Sequence, residues 1–144
     1  MSYLHRIVAP TAGLIAATLT PLAAVAQTPI TDNEVFLDGL YSATAEYDQL
    51  AHDFAVEMGD DNIELASMVC AMFDEGAPAI DGLGAIFSGI NSGFYEGGAE
   101  EIFTADQIDN ASFVYSVALV SFGTDAYCPE YTPNVIAALE DLES

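Results

Sequence analysis

Between residues 31 and 58, apolar side chains recur at spacings of three, four and seven: Phe36, Leu40, Tyr47, Leu50, Phe54 and Met58. That period marks one face of an amphipathic helix, and Asp38, Asp48, Asp53 and Glu57 mostly fall off it. Thr31, with Glu34 three residues on, has the spacing of a capping box at the helix start. The pattern predicts one long helix to about Met58, bent near Gly39, with a break at residues 42–44 as the alternative. A second helix is predicted through GDDNIELASMVCAMFDEG, capped by Asp60 or Asp61 and stopped by Gly76. Ile63, Ala66, Cys70 and Phe73 line one of its faces, and Leu65, Val69 and Met72 another. A helix so apolar belongs inside a core, so Cys70 is expected to be buried.

Ile80, Leu83, Phe87 and Ile90 again have helical spacing, with Pro78 suited to a first turn. Gly82, Gly84 and Gly89 each weaken that helix by about 1 kcal/mol. Residues 91–101 read as a Gly-rich mobile loop, and the spacing of Gly89, Gly93 and Gly97 as flexibility rather than a packing stripe. Thr104 and Gln107 form a further capping box, followed by the stripe Ile108, Ser112, Tyr115, Leu119 and Phe122. Val114, Val117 and Val120 are β-branched and make a strand the competitor; the cap and the length favour helix. Pro129 disfavours helical backbone at Cys128 and so ends this element. Thr132 and Pro133 open a short last helix, with Val135, Ile136, Leu139 and Leu142 available to pack. The fold class is therefore all-α, a small bundle of about four to five helices in one domain over residues 27–144.

Residues 1–26 are set apart from that domain. A short start with His5 and Arg6 precedes an apolar run, and Ala24-Val25-Ala26 gives the small-x-small pattern of a signal-peptidase site. A signal peptide cleaved after Ala26 is predicted, with a secreted or periplasmic product; a membrane anchor is the alternative, although Pro10, Gly13 and Pro21 interrupt the run.

Charge narrows the function. All 23 Asp and Glu lie at or beyond Asp32, and Arg6 is the one Lys or Arg, so loss of the leader takes the formal charge from −22 to about −23. Nucleic-acid binding needs cations to displace phosphate counterions, and docking on anionic lipid needs them too, so neither partner is expected. Hydrophobic residues make up 52% of the chain, enough for a core that opposes self-repulsion. Stability is expected to rise with salt, divalent cations and mild acidification. Acid clusters at residues 60–64, 74–75, 96–101 and 106–109 lack the twelve-residue calcium-loop pattern, so weak, nonspecific binding of divalent cations is the expectation.

Two cysteines, Cys70 and Cys128, lie beyond the leader. An even count in an exported chain reads as one disulfide; two buried free thiols are the alternative. A catalytic thiolate is disfavoured because His52 is the only histidine beyond the leader and the surrounding acids raise a thiol pKa. Cys70, Cys128 and His52 have no zinc-ligand spacing, so neither a metal nor another cofactor is expected. Among 23 carboxylates some pair always has hydrolase spacing, yet there is no Trp to stack a sugar and no nucleophile elbow. No enzyme is predicted, and no catalytic residue is assigned.

The segments VCAMFDEG (residues 69–76) and AYCPEY (residues 126–131) resemble the Val-Cys-x-x-Leu-x-x-Gly and Tyr-Cys-Pro-x-Tyr motifs of the domain-of-unknown-function 732 (DUF732) family, and FLDGL (residues 36–40) is similar to its opening Phe-Leu-x-x-Leu. The resemblance covers about a third of the residues beyond the leader. Phe73 stands at the Leu position, Ser67 where the family has Gly, and residues 41–59 are longer than its pattern. It implies a small exported helical domain, best known from actinobacteria, with Cys70 and Cys128 joined; it implies no activity, and Tyr127 and Tyr131 are separately expected to pack beside the cross-link. The expected role is a noncatalytic binding or envelope-associated protein with an envelope or extracellular partner. An acid- or stress-responsive chaperone-like protein and a carboxylate-based hydrolase are the alternatives.

Overall fold

The computed structural model describes residues 31–144, so the predicted leader and its predicted cleavage point after Ala26 lie outside the described residues. Those residues form six α-helices and two 3₁₀ turns, with no strand among them: α1 (Asp32–Tyr47), α2 (Gln49–Met58), α3 (Asp61–Asp74), α4 (Ala79–Glu96), α5 (Ala105–Tyr127) and α6 (Thr132–Glu143). The 3₁₀ turns, Ala99–Glu101 and Pro129–Tyr131, flank α5. No helix among the described residues is long and apolar enough to cross a membrane.

The predicted first helix is two. Thr31 caps α1 by accepting the Glu34 amide at 3.1 Å, but the reciprocal Glu34 side-chain bond of the predicted capping box is not formed. The chain then breaks at Asp48, whose extended backbone (φ −161, ψ 117) ends α1 and whose Oδ1 accepts the Ala51 amide at 2.9 Å to start α2. Aspartate is among the strongest N-caps, and here it overrides the continuous apolar stripe. Gly39 lies within the uninterrupted helix α1. A Cβ there would sit 2.4 Å from the Phe122 ring of α5, so glycine leaves room for that ring.

Asp60 precedes α3 without a side-chain cap bond. The C-terminus of α3 is closed by a Schellman motif: Ala77 donates to Met72 O and Gly76 to Phe73 O, both at 3.0 Å, with Gly76 left-handed at φ 97. Pro78 is the extended residue before α4 rather than part of its first turn. The loop expected from residue 91 is helix to Glu96, followed by a Gly97–Gly98 turn. Ile90 and Phe94 are buried there, and Asn91 Nδ2 donates to Asp109 Oδ1 (2.9 Å) and Ser112 Oγ (3.2 Å) on α5. Tertiary packing thus outweighs the glycine cost. Gly89 and Gly93 face open space, so they form no packing stripe among the described residues.

Helix α5 opens with the full Thr104–Gln107 capping box and ends at Cys128, as its sequence predicts. It is the axis of the bundle, in contact with each of the other five helices. Pairs of residues fix α1 as antiparallel to it: Asn33 with Tyr127, Gly39 with Phe122, and Asp48 with Asn110. Gly123 lets α3 approach, since a Cβ there would stand 2.8 Å from Ala66 Cβ. The fully buried Phe36 and Leu40 of α1, Val69 of α3 and Leu119 of α5 occupy the centre. Of the residues offered by α6, Val135 is buried, Leu139 packs against the core, and Ile136 and Leu142 stand half-exposed.

Candidate functional site

Three features gather the residues that carry chemistry. The first is the cross-link. Cys70, one turn from the end of α3, and Cys128, at the end of α5, form a disulfide with Cα atoms 5.9 Å apart, and both are buried. No free cysteine remains among the described residues. Local backbone delivers Cys128: its amide donates to Thr124 O at 2.9 Å, and its carbonyl accepts from Tyr131 N at 3.0 Å across the Pro129 turn.

The two tyrosines of the closing motif serve different neighbours. Tyr131 lies edge-on to Phe73 of α3 (centroids 5.5 Å), and its hydroxyl donates to Asp74 Oδ1 at 2.8 Å. That hydrogen bond, followed by burial and the charges of Asp74 and Glu130, raises its pKa. Tyr127 turns to α1, edge-on to Phe36 at 5.5 Å and donating to Asn33 Oδ1. Burial, then Asp32, raises its pKa. The cross-linked end is therefore pinned to α3 by one tyrosine and to α1 by the other.

The second feature is a buried polar network that the sequence did not reveal. Tyr115 and Asn62 are both fully buried. Tyr115 donates its hydroxyl to Asn62 Oδ1. Asn62 Nδ2 donates to the carbonyls of Ala55 and Gly59, both at 2.8 Å. One amide side chain thus closes the end of α2, the turn to α3 and the middle of α5. Phe54 packs edge-on to the Tyr115 ring at 5.1 Å. Burial first, then the neighbouring Tyr41 and Asp61, pushes the Tyr115 hydroxyl well above the ordinary tyrosine pKa. In the sequence, Asn62 reads as part of an acid cluster and Tyr115 as one member of a stripe. Fifty-three residues separate them, and no local pattern pairs them.

The third feature is His52, at the α1–α2 junction. Its Nδ1 lies 3.1 Å from Tyr41 O and 3.3 Å from Thr44 Oγ1, and its ring stands edge-on to Tyr41. Thr44 in turn donates to Leu40 O at 2.8 Å. The bond to a backbone carbonyl makes Nδ1 the protonated nitrogen, and the ring fastens α2 back onto α1. Cys70 carries no thiol for it to activate.

The acidic side chains are dispersed. Among the described residues, no group of three or more His, Cys, Asp or Glu is placed to hold a metal ion. Several instead accept from neutral donors: Asp48 Oδ2 from Asn110 (2.7 Å), Asp125 from Thr132 (2.7 Å) and Asp53 from Gln49 (2.7 Å). No protein-family model, curated protein or solved structure matches this chain.

Proposed function

We propose that this chain is an exported, noncatalytic helical domain that works in the cell envelope or outside the cell by binding a partner there. The observation that carries the reading is the Cys70–Cys128 disulfide within the core, a bond that persists in oxidising compartments. The leader-like residues 1–26 and the DUF732-like motifs at residues 69–76 and 126–131 support it. The noncatalytic part rests on how the chemical groups are used. Both cysteines are spent on the cross-link, His52 is tied to backbone, and Tyr115 and Asn62 satisfy each other. A partner bound through charge would have to be cationic, because residues 27–144 contain 23 carboxylates and no Lys or Arg.

Cell fractionation followed by intact mass measurement tests the export. The expected product begins at Gln27, is oxidised, and lies outside the cytoplasm; an uncleaved, reduced cytoplasmic chain overturns the proposal. For the binding role, the purified oxidised protein is incubated with envelope extract and culture fluid from its source. The expectation is a component retained at constant stoichiometry and chemically unchanged. Conversion of that component with turnover overturns the noncatalytic reading.

A further inference from the structure

Helix α4 combines two properties that oppose each other. It gives the core a full apolar face, with Leu83, Ile86, Ile90 and Phe94 buried. Yet Gly82, Gly84, Gly89 and Gly93 all lie within it, and glycine is the poorest helix former after proline. Gly82 has a use, since a Cβ there would sit 2.8 Å from the Phe73 ring. Gly84, Gly89 and Gly93 have none of that kind: a Cβ at any of them would meet nothing within 4 Å. Pro78 provides no side-chain cap; α3 shares that lack, whereas Thr31, Asp48 and Thr104 cap α1, α2 and α5. The segment is bounded by two left-handed glycines, Gly76 (φ 97) and Gly98 (φ 83), where the chain reverses on either side.

The other helices carry buried residues of their own. Phe36, Leu40, Ala55, Tyr115 and Leu119, on α1, α2 and α5, are buried; Val69 of α3 is buried too, but partly against Gly82 of α4. The Asn62–Tyr115 bond and the disulfide join α3 to α5 at two levels. Because Cys70 and Cys128 bracket α4 in the chain, a detached α4 stays inside a covalent loop.

We propose that α4 is a strap that unfolds and lifts away between Gly76 and Gly98 as one unit, while the cross-linked frame of α1, α2, α3 and α5 stays folded. Local opening of this kind draws on the least stable elements of a fold. It uncovers an aromatic side of the frame: Phe54, which packs on Phe94 with centroids 5.0 Å apart, and Phe73 beneath Gly82. The strap opens in the free domain, so its motion holds apart from any binding role.

Residue-resolved hydrogen exchange of the oxidised chain tests this. The amides of Leu83, Ile86, Ile90 and Phe94 exchange at least roughly ten-fold faster than those of Leu119 and Val120, with a shallower dependence on guanidinium, as sub-global opening requires. The triple variant G84A/G89A/G93A slows exchange in α4 by about 100-fold, near five-fold for each glycine removed. Asp48→Ala, which strips the cap of a frame helix, speeds exchange at Leu119 and Val120 by about five-fold and leaves α4 unchanged. Thr31→Ala serves the same purpose if the first variant does not fold. Equal rates and equal guanidinium dependence in α4 and α5, no slowing in the triple variant, or acceleration of both helices together by the frame variant would each overturn the strap.

Discussion

Removing the Tyr115 hydroxyl is the sharpest perturbation this fold offers. Tyr115→Phe keeps the ring against Phe54 and takes away the one hydrogen bond described for Asn62 Oδ1, in a place with no solvent access. A buried acceptor left without a donor costs about 1–3 kcal/mol. Asn62→Ala is the harsher change, because it strands the Tyr115 hydroxyl and removes both donations, to Ala55 O and Gly59 O; its expected cost is about 2–4 kcal/mol. The double variant should cost less than the sum by about 1 kcal/mol or more, since each single change already breaks the shared bond. The pH dependence supplies a second signature. The folded-state pKa of Tyr115 lies above the unfolded value, so its contribution is fully present below about pH 10 and is lost as pH rises further. Between the two values the slope is about −1.4 kcal/mol per pH unit from this group. Tyr127 and Tyr131 are shifted in the same direction, so only the difference between the wild type and Tyr115→Phe isolates the buried group. Urea unfolding of the wild type, both single variants and the double variant at pH 7, with the wild type and Tyr115→Phe repeated at steps up to about pH 11, reads all of this. A Tyr115→Phe cost below about 0.5 kcal/mol, or an alkaline slope the same in both proteins, refutes the network as a stabilising element.

Replacing Cys70 and Cys128 together with alanine should lower stability by about 4 kcal/mol, from the chain-entropy estimate for a 58-residue separation; an unchanged urea midpoint refutes it. Gly123→Ala should cost about 1–3 kcal/mol, because the new methyl would stand 2.8 Å from Ala66 Cβ between two packed helices. Gly89→Ala should gain up to about 1 kcal/mol in open space, so thermal melts that rank the two glycines alike contradict the packing at Gly123. Raising NaCl from about 10 mM to about 1 M shortens the screening length from about 30 to about 3 Å. The melting temperature should rise with it, given 23 carboxylates and no Lys or Arg in residues 27–144; a flat melting temperature counts against self-repulsion as a significant cost.

Local signals were legible where a side chain answers its own backbone. Thr104–Gln107, the Thr31 cap, the Gly76 stop and the Pro129 break are all short-range devices, and each acts at the predicted residue. The break at Asp48 was hidden by apolar spacing that runs across it, although aspartate is a strong cap in its own right. The extension of α4 past residue 90 was illegible for a different reason. Its glycines argue against helix locally, and the interactions that overrule them come from α5, through Asp109 and Ser112. The disulfide could be read from the cysteine count and the predicted export, because two cysteines allow one pairing. The Tyr115–Asn62 network could not, since it joins residues 53 apart that carry no local pattern.

A domain with 23 carboxylates and no ammonium or guanidinium side chain must satisfy and screen its charge by other means. The structure shows one of them: carboxylates accept hydrogen bonds from neutral side chains across the joints of the fold. Asp48 caps α2 and holds Asn110, Asp109 holds Asn91, Asp74 holds Tyr131, and Asp125 holds Thr132. Each of these bonds leaves the negative charge in place, whereas a salt bridge would cancel it. The remaining repulsion falls to solvent cations, which ties the stability of the domain to the ionic strength around it. The same arithmetic limits association. A second copy brings only more negative charge, so a partner recognised by charge has to supply the positive groups that this chain lacks.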